Sequence, residues 1–239
     1  NDKMEVKRVL MGMVILYEDK KEVLPVIQTT TGLEYEITTR IKKLVETNKP
    51  IVGIAQIEGQ ESQTQNIQNV LRQRYNVQTA NLSDEVPVDI GVLLMNGVSD
   101  SLSSNELTNL QAYLNRGGNM FLAQNRVKTN LQVQQAFVIQ SNIFSLMELY
   151  GFTIAENLVT DQICGRVSVQ QQMGPIRMNV PMEYPLLPVV RSFNQEESLV
   201  AGLEQLQLIF ASEILPDSTL DNQVKFTPLL FSSERTGEM

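Results

Sequence analysis

The apolar positions change their spacing along the chain, and each change marks an element. Val6 to Tyr17 and Val23 to Thr29 are rich in β-branched and apolar residues and flank the charged stretch EDKKE, which predicts two strands joined by a polar turn. The period then lengthens. Leu33, Ile37, Ile41, Leu44 and Val45 fall on one helical face, and Thr31 with Glu34 offers a capping box, so the spacing predicts a helix over Leu33 to Glu46.

From Pro50 short apolar runs alternate with amphipathic stretches. Ile51 to Ile57 (IVGIAQI), Val77 to Leu82, Ile90 to Asn96 (IGVLLMN) and Asn119 to Ala123 (NMFLA) read as buried strands. Between them, Ile67, Val70, Leu71 and Tyr75 form one helical stripe. Leu107, Leu110, Tyr113 and Leu114 form another, opened by a possible capping box of Ser103 and Glu106. A further helix is predicted over Ser141 to Tyr150, ending at Gly151 as a left-handed cap. Strands and helices alternating at this spacing imply crossover connections, hence an open α/β fold with a mainly parallel sheet and helices on both faces.

Beyond Gly151 the pattern loosens into LVTDQICGRVSV, IRMNV, LQLIFASEI and VKFTPLLF, with five of the nine prolines between Pro175 and Pro216. This part reads as strands and long loops laid on the core. The expected organisation is one domain over 1–239: an N-terminal strand pair and helix (1–49), an α/β core (50–151) and a strand- and loop-rich C-terminal part (152–239).

Composition narrows the chemistry. A formal net charge of −8 puts a repelling field before phosphate backbones, so nucleic acid is not expected as a partner. Histidine is absent and Cys164 is the single cysteine, which removes Ser-His-Asp and Cys-His nucleophiles, a histidine base and the common zinc sets. Cys164 reads as a small, partly buried side chain. The longest apolar run, Val9 to Tyr17, is far below the roughly 20 residues of a membrane helix. The chain starts at Asn1 without a signal peptide and reads as an excised piece of a longer protein.

The glycine pair in NLQAYLNRGGNMFLA tests for a nucleotide site. Gly117 and Gly118 follow a helix and precede a strand, so they meet the negative end of the helix dipole, whereas a phosphate cradle needs the order strand, glycines, helix. No G-x-G-x-x-G or G-x-x-x-x-G-K-[ST] occurs. Gly117 is therefore expected to be a left-handed cap, Gly118 slack before the strand, and Arg116 a complement to the dipole. In open α/β folds the ligand crevice lies beyond the carboxyl ends of the strands. Asn96, Asp100, Gln124 and Asn125 occupy those ends and are the candidate ligand or partner contacts, although Asn96-Gly97 equally reads as a turn. Asp161, following an apolar strand, is the remaining candidate; Asp84, Glu85 and Asp89 read as an exposed connector. No serine or cysteine occupies a strand-to-helix elbow, so no catalytic residue, metal or cofactor is expected.

RVLMGMVILYEDKKEVLPVIQ, LEYEITTRIKKLVETNKPIVGIAQ, LSSNELTNLQAYLNRGGNMFLAQNRV, ENLVTDQIC, YPLLPVV and GLEQLQLIFASEI occur in that order over nearly the whole chain. Their order and spacing resemble the GldG-like family, the gliding-motility-associated auxiliary proteins of ABC transporters. The resemblance implies an extracytoplasmic domain on the periplasmic side of the inner membrane. Flanking membrane helices would anchor it, and it would work with an ABC permease and an ATPase that binds the ATP. It further implies a core similar to flavodoxin or to class I glutamine amidotransferases, and no catalysis. Family members tend to carry Asp-Pro after the glycine-led strand, where this chain has Asn125-Arg126. Two alternatives stand beside an auxiliary role: a solute- or glycan-binding module using the strand-end crevice, and a hydrolase dependent on Asp161 or Cys164.

Overall fold

A computed structural model describes residues 11–27, 29–30, 32–45, 49–61, 63–130, 135–173, 176–217, 219 and 224–239. At the N-terminal end, β1 (Met13–Tyr17) and β2 (Lys20–Leu24) form an antiparallel hairpin against which α1 (Leu33–Val45) packs. Tyr17 pairs with Lys20, so the turn is Glu18 and Asp19 rather than all of EDKKE. Glu18 takes φ 50°, the backbone state that lets a two-residue loop follow the twist of the strands. The charged residues after it enter the ladder and seat the helix: Lys20 Nζ donates to the Leu44 carbonyl at 3.3 Å, and Lys43 pairs with Glu22 at 2.6 Å. β2 stops at Leu24, because Pro25 has no N–H to continue the ladder. Val6 to Leu10, Thr31 of the expected capping box and Glu46 lie outside the described residues.

The core is a four-stranded sheet of β3 (Ile51–Gln56), β4 (Asn76–Asn81), β5 (Ile90–Asn96) and β6 (Asn119–Ala123), all parallel, in the spatial order β4-β3-β5-β6. The chain leaves β3 in one direction to form β4 and returns across it to form β5, which places the topological switch between β3 and β5. One sheet face is well covered. Ala55, Leu93 and Met95 pack there with Leu110 and Tyr113 of α3 (Ser104–Asn115) and with Ile143, Phe144, Leu146 and Met147 of α4 (Asn142–Leu149). On the other face Leu71 of α2 (Gln65–Leu71) joins Val52, Ile54, Leu94 and Val77. That cover is partial, since Val92 and Phe121 remain 38% and 56% exposed. Between β4 and β5 the chain crosses without a helix.

Between β6 and α4 a hairpin forms that the periodicity did not indicate: β7 (Val127–Asn130) pairs antiparallel with β8 (Gln135–Val138). After α4 come β9 (Phe152–Ile154), β10 (Val159–Asp161), β11 (Cys164–Met173), β12 (Ile176–Val190), β13 (Ser192–Phe193), β14 (Leu206–Gln207), β15 (Ile214–Pro216), β16 (Leu230–Phe231) and β17 (Thr236–Glu238). Most form two-stranded pairs: β9 with β15, β10 with β17 and β13 with β16. Within the part read as strands and long loops, the proline-rich stretch forms the 15-residue β12, which contains Pro181, Pro185 and Pro188. Proline is tolerated because the register shifts between Cys164 and Arg166, and on the β14 edge the carbonyls of Leu186 and Pro188 accept from Phe210 and Leu208 N–H, bonds that ask no N–H of a proline.

Candidate functional site

The carboxyl ends of the parallel strands carry loops that are hydrogen-bonded to one another. Gln124, just after β6, clamps the loop after β5: Val98 N–H donates to Gln124 Oε1 at 2.6 Å and Gln124 Nε2 donates to the Val98 carbonyl at 3.0 Å. The same amide donates to the Asn125 carbonyl at 2.7 Å. From the loop after β3, Gln60 Oε1 accepts from Ser99 N–H at 2.9 Å and its Nε2 donates to the Asp100 carbonyl at 3.5 Å. The Asp100 carbonyl also accepts from Ser141 Oγ at 2.9 Å, and the Asp100 carboxylate from Ser101 N–H at 2.7 Å. The structure thus brings Asn96, Asp100, Gln124 and Asn125 to one end of the sheet, and uses the polar groups of Asp100 and Gln124 to fix loop geometry. Asn96 and Asn125 are exposed there.

Glu106 closes the switch point. Its carboxylate is buried and accepts from Glu58 N–H across the crevice at 2.8 Å, and from Ser103 N–H and Ser103 Oγ, both at 2.8 Å. Ser103 Oγ in turn accepts from Glu106 N–H, so the capping box forms as the sequence indicated. Burial pushes the carboxyl up, but the hydrogen bonds from Glu58 and Ser103 outweigh it and the net direction is down. Sequence spacing identified Glu106 as a cap; its second duty, holding the loop after β3, depends on a residue 48 positions away.

With the switch point bridged, open space lies to one side, beyond β3 and β4. A cleft of about 610 Å³ is lined there by Gln56, Glu58, Gln60, Glu61, Asn81 and Ser83. Its side chains offer amides, a hydroxyl and two carboxylates. No cation is among the described residues that line it, so phosphate is disfavoured, and the amide and hydroxyl donors suit a neutral polyhydroxylated ligand.

Asp161 does not join this group. It is buried at the end of β10, where Oδ1 accepts from Ile163 N–H at 2.8 Å and Ser233 Oγ at 2.7 Å, and Oδ2 from Ser233 N–H at 2.8 Å. Burial raises its pKa, and the three hydrogen bonds lower it by more. With both oxygens engaged, Asp161 pins the segment before β17 to β10. Cys164 is half-buried at the start of β11, opposite Pro188. Among the described residues no group of three His, Cys, Asp or Glu side chains is placed to hold a metal.

Arg126 is the residue that sequence reasoning passed over. Its guanidinium lies 3.9 Å from the centre of the Phe144 ring and pairs with Glu156, while its Nε is buried without a hydrogen-bond partner among the described residues. The available signal was a lone cation in QNRV, next to the amides that were singled out. The glycine pair divides as follows. Gly117 has φ +89° and its N–H donates to the Leu114 carbonyl at 3.0 Å, as a left-handed cap should. Gly118 is not slack: a Cβ there would lie 2.5 Å from the Tyr113 ring and 2.6 Å from its carbonyl oxygen. Nor does Arg116 serve mainly the helix end, since it reaches across to Glu85 and to the Val86 and Pro87 carbonyls.

A family model described as an ABC-type uncharacterized transport system matches residues 38–239, which include the whole sheet, its strand-end loops and the C-terminal strands. The chain belongs to that family. The family is one of auxiliary components, and its model begins within α1, after the β1–β2 hairpin. A protein of Borreliella burgdorferi described as uncharacterized is 20% identical over 248 residues, covering 100% of this chain and 48% of that protein. The chain therefore spans about half the length of the curated relative it matches. The solved mmIFT52 N-terminal domain is similar in fold, with a TM-score of 0.51 at 14% identity over 77% of this chain and 74% of that one. Among the described residues no helix is long and apolar enough to cross a membrane.

Proposed function

We propose that this chain is a non-catalytic, extracytoplasmic part of an ABC-type transport system that acts by protein–protein contact with the permease and its ATPase. The carrying observation is the family match over residues 38–239. Two features of the strand ends support it: the Gln124 amide and the Asp100 carbonyl bind other loops of the same chain, and Glu106, the buried carboxylate at the switch point, is hydrogen-bonded at both oxygens. Within the family the ordered motifs favour the GldG-like, gliding-associated branch, and the β4-β3-β5-β6 order favours a flavodoxin-like core. ATP is bound by the partner, and the membrane anchor belongs to flanking sequence.

The test is purification of the intact gene product from membranes, with its topology mapped by protease protection. Co-purification with a permease and an ATPase, and a protected extracytoplasmic domain, are expected. A cytosolic product that brings down neither removes the proposal.

The amide- and hydroxyl-lined cleft beyond β3 and β4 favours a second reading, a module that binds neutral solutes or glycans. Thermal unfolding against a panel of sugars separates the two. A true ligand at 100 times its Kd adds about 2.7 kcal/mol of stability. A panel without any shift leaves the contact role standing alone.

A further inference from the structure

The cleft beyond β3 and β4 is edged by a pair of carboxamides. Gln56 and Asn81 are the last residues of adjacent parallel strands and pair in register, on the sheet face that also carries Val52, Ile54 and Val77. Asn81 Oδ1 accepts from Ser83 N–H at 3.0 Å, which commits the oxygen to the turn and leaves the Nδ2 donors without a partner among the described residues. The Gln56 carboxamide and the Ser83 hydroxyl take no hydrogen bond among the described residues, and Gln56 and Asn81 are exposed. These donors and acceptors stand on a backbone that is already held. Glu58 N–H is fixed by Glu106, Gln60 by Ser99 and Asp100, and the Ser83 carbonyl by Asn105 Nδ2. A ligand that enters therefore orders little of the wall, which lowers the cost of binding.

Two carboxylates complete the lining. Glu58 and Glu61 face the same cleft, and neither side chain is in an ion pair or a hydrogen bond among the described residues. No lysine or arginine is among the described lining residues. An ionised carboxylate only accepts, so a sugar hydroxyl can donate to it and a sugar carboxylate cannot. Like charges then repel across the cleft, and the formal charge of −8 on the chain adds to that field.

Given the second reading above, in which the cleft takes up glycans, we infer that it sorts sugars by charge. The Gln56–Asn81 pair donates to the hydroxyl oxygens of a neutral sugar, and Glu58 and Glu61 accept from its hydroxyls while rejecting acidic sugars such as uronic acids. The amide pair supplies attraction and the two glutamates supply the repulsion that makes the choice.

Isothermal titration calorimetry on the whole chain tests this with matched pairs: glucose and glucuronate, galactose and galacturonate, mannose and mannuronate. At least one neutral sugar is expected to bind, and its uronate at least about tenfold more weakly. Q56A and N81D should each weaken the neutral sugar; aspartate keeps the acceptor for Ser83 N–H and loses only the donors, so the turn survives. E58Q/E61Q should bring the uronate to within about threefold of its neutral counterpart. All four residues are exposed, so the melting temperatures should stay at the parental value, which separates lost binding from lost folding. A neutral sugar that binds Q56A and N81D as tightly as the parent overturns the inference and leaves glycan binding standing. So does a uronate that binds as well as its neutral counterpart, or a discrimination that E58Q/E61Q does not change. Silence across the whole panel overturns both.

Discussion

The parallel sheet and the β11–β12 ribbon obey the same alternation of side chains and reach opposite ends. In β5, Leu93 and Met95 point to one face and are 0% and 1% exposed, because α3 arrives on that face through the β5–β6 crossover and α4 packs there after the β7–β8 hairpin. In the ribbon Val169, Met178 and Met182 also line one face, and nothing in the described chain arrives to cover them. Apolar alternation specifies that a face will be buried. The connection that follows decides whether the chain itself buries it, because a parallel strand needs a crossover, which between β5 and β6 brings α3, and a hairpin brings none. Phe121 and Val92 lie between these extremes, on a sheet face that α2 covers in part.

Substitutions can break this comparison, beginning with the sheet. Leu110 is fully buried between α3 and the sheet, so Leu110→Ala is expected to cost about 3 kcal/mol in urea unfolding. A loss below about 1 kcal/mol would mean the face is not closed. Gly118→Ala should cost about 2 kcal/mol, because the new Cβ meets the carbonyl oxygen of Tyr113, which is backbone and cannot swing aside.

Glu106→Gln should cost about 2 kcal/mol at neutral pH by turning an amide N–H toward donors. This variant also sharpens the pH dependence. In both Glu106 and Asp161 burial raises the carboxyl pKa and hydrogen bonds lower it by more, so each folded value is depressed. The unfolded chain then binds protons first as pH falls. The stabilisation is complete above about pH 4.3 for a glutamate and about pH 3.9 for an aspartate, and is lost as pH falls through the folded values. Urea midpoints between about pH 6 and about pH 2.5 should therefore fall less steeply in Glu106→Gln than in the parent. Parallel curves would remove Glu106 from the acid limb.

Gly117→Val should cost about 1 kcal/mol or more through backbone strain alone, since φ is +89° and no atom lies within 4 Å of a Cβ there. At the other side of the comparison, Met182→Ser in the ribbon should change monomer stability by no more than about 0.5 kcal/mol. A cost near that of Leu110→Ala would show the ribbon face already covered within one chain.

Much of the centre was legible in the residues. The strand Asn119–Ala123 was found to the residue, the helix at Ser141 begins with that serine as its N-cap, and Ser103 with Glu106 forms the capping box its spacing promised. These features are local, with every partner within a few positions. The failures are of two kinds. One concerned how charged residues behave on an edge: Lys20 to Glu22 entered a strand because an edge ladder tolerates charge. The others concerned partners far along the chain. Nothing near Asp161 announces Ser233, nothing near Arg126 announces Phe144 and Glu156, and Gly118 looked like slack until the Tyr113 ring was placed against it.

By itself the sequence determined the periods, caps and punctuation, and hence a parallel α/β core with a strand-rich second half. It also determined that Gly117 and Gly118 close a helix and do not cradle phosphate, because helix polarity follows from chain order alone. Only the tertiary structure decided that the Gln124 amide and the Asp100 carbonyl are taken up by neighbouring loops, that the cleft opens beyond β3 and β4, and that one amphipathic ribbon has no cover among the described residues. Each of those depends on which distant segments meet, and local periodicity holds no record of such meetings.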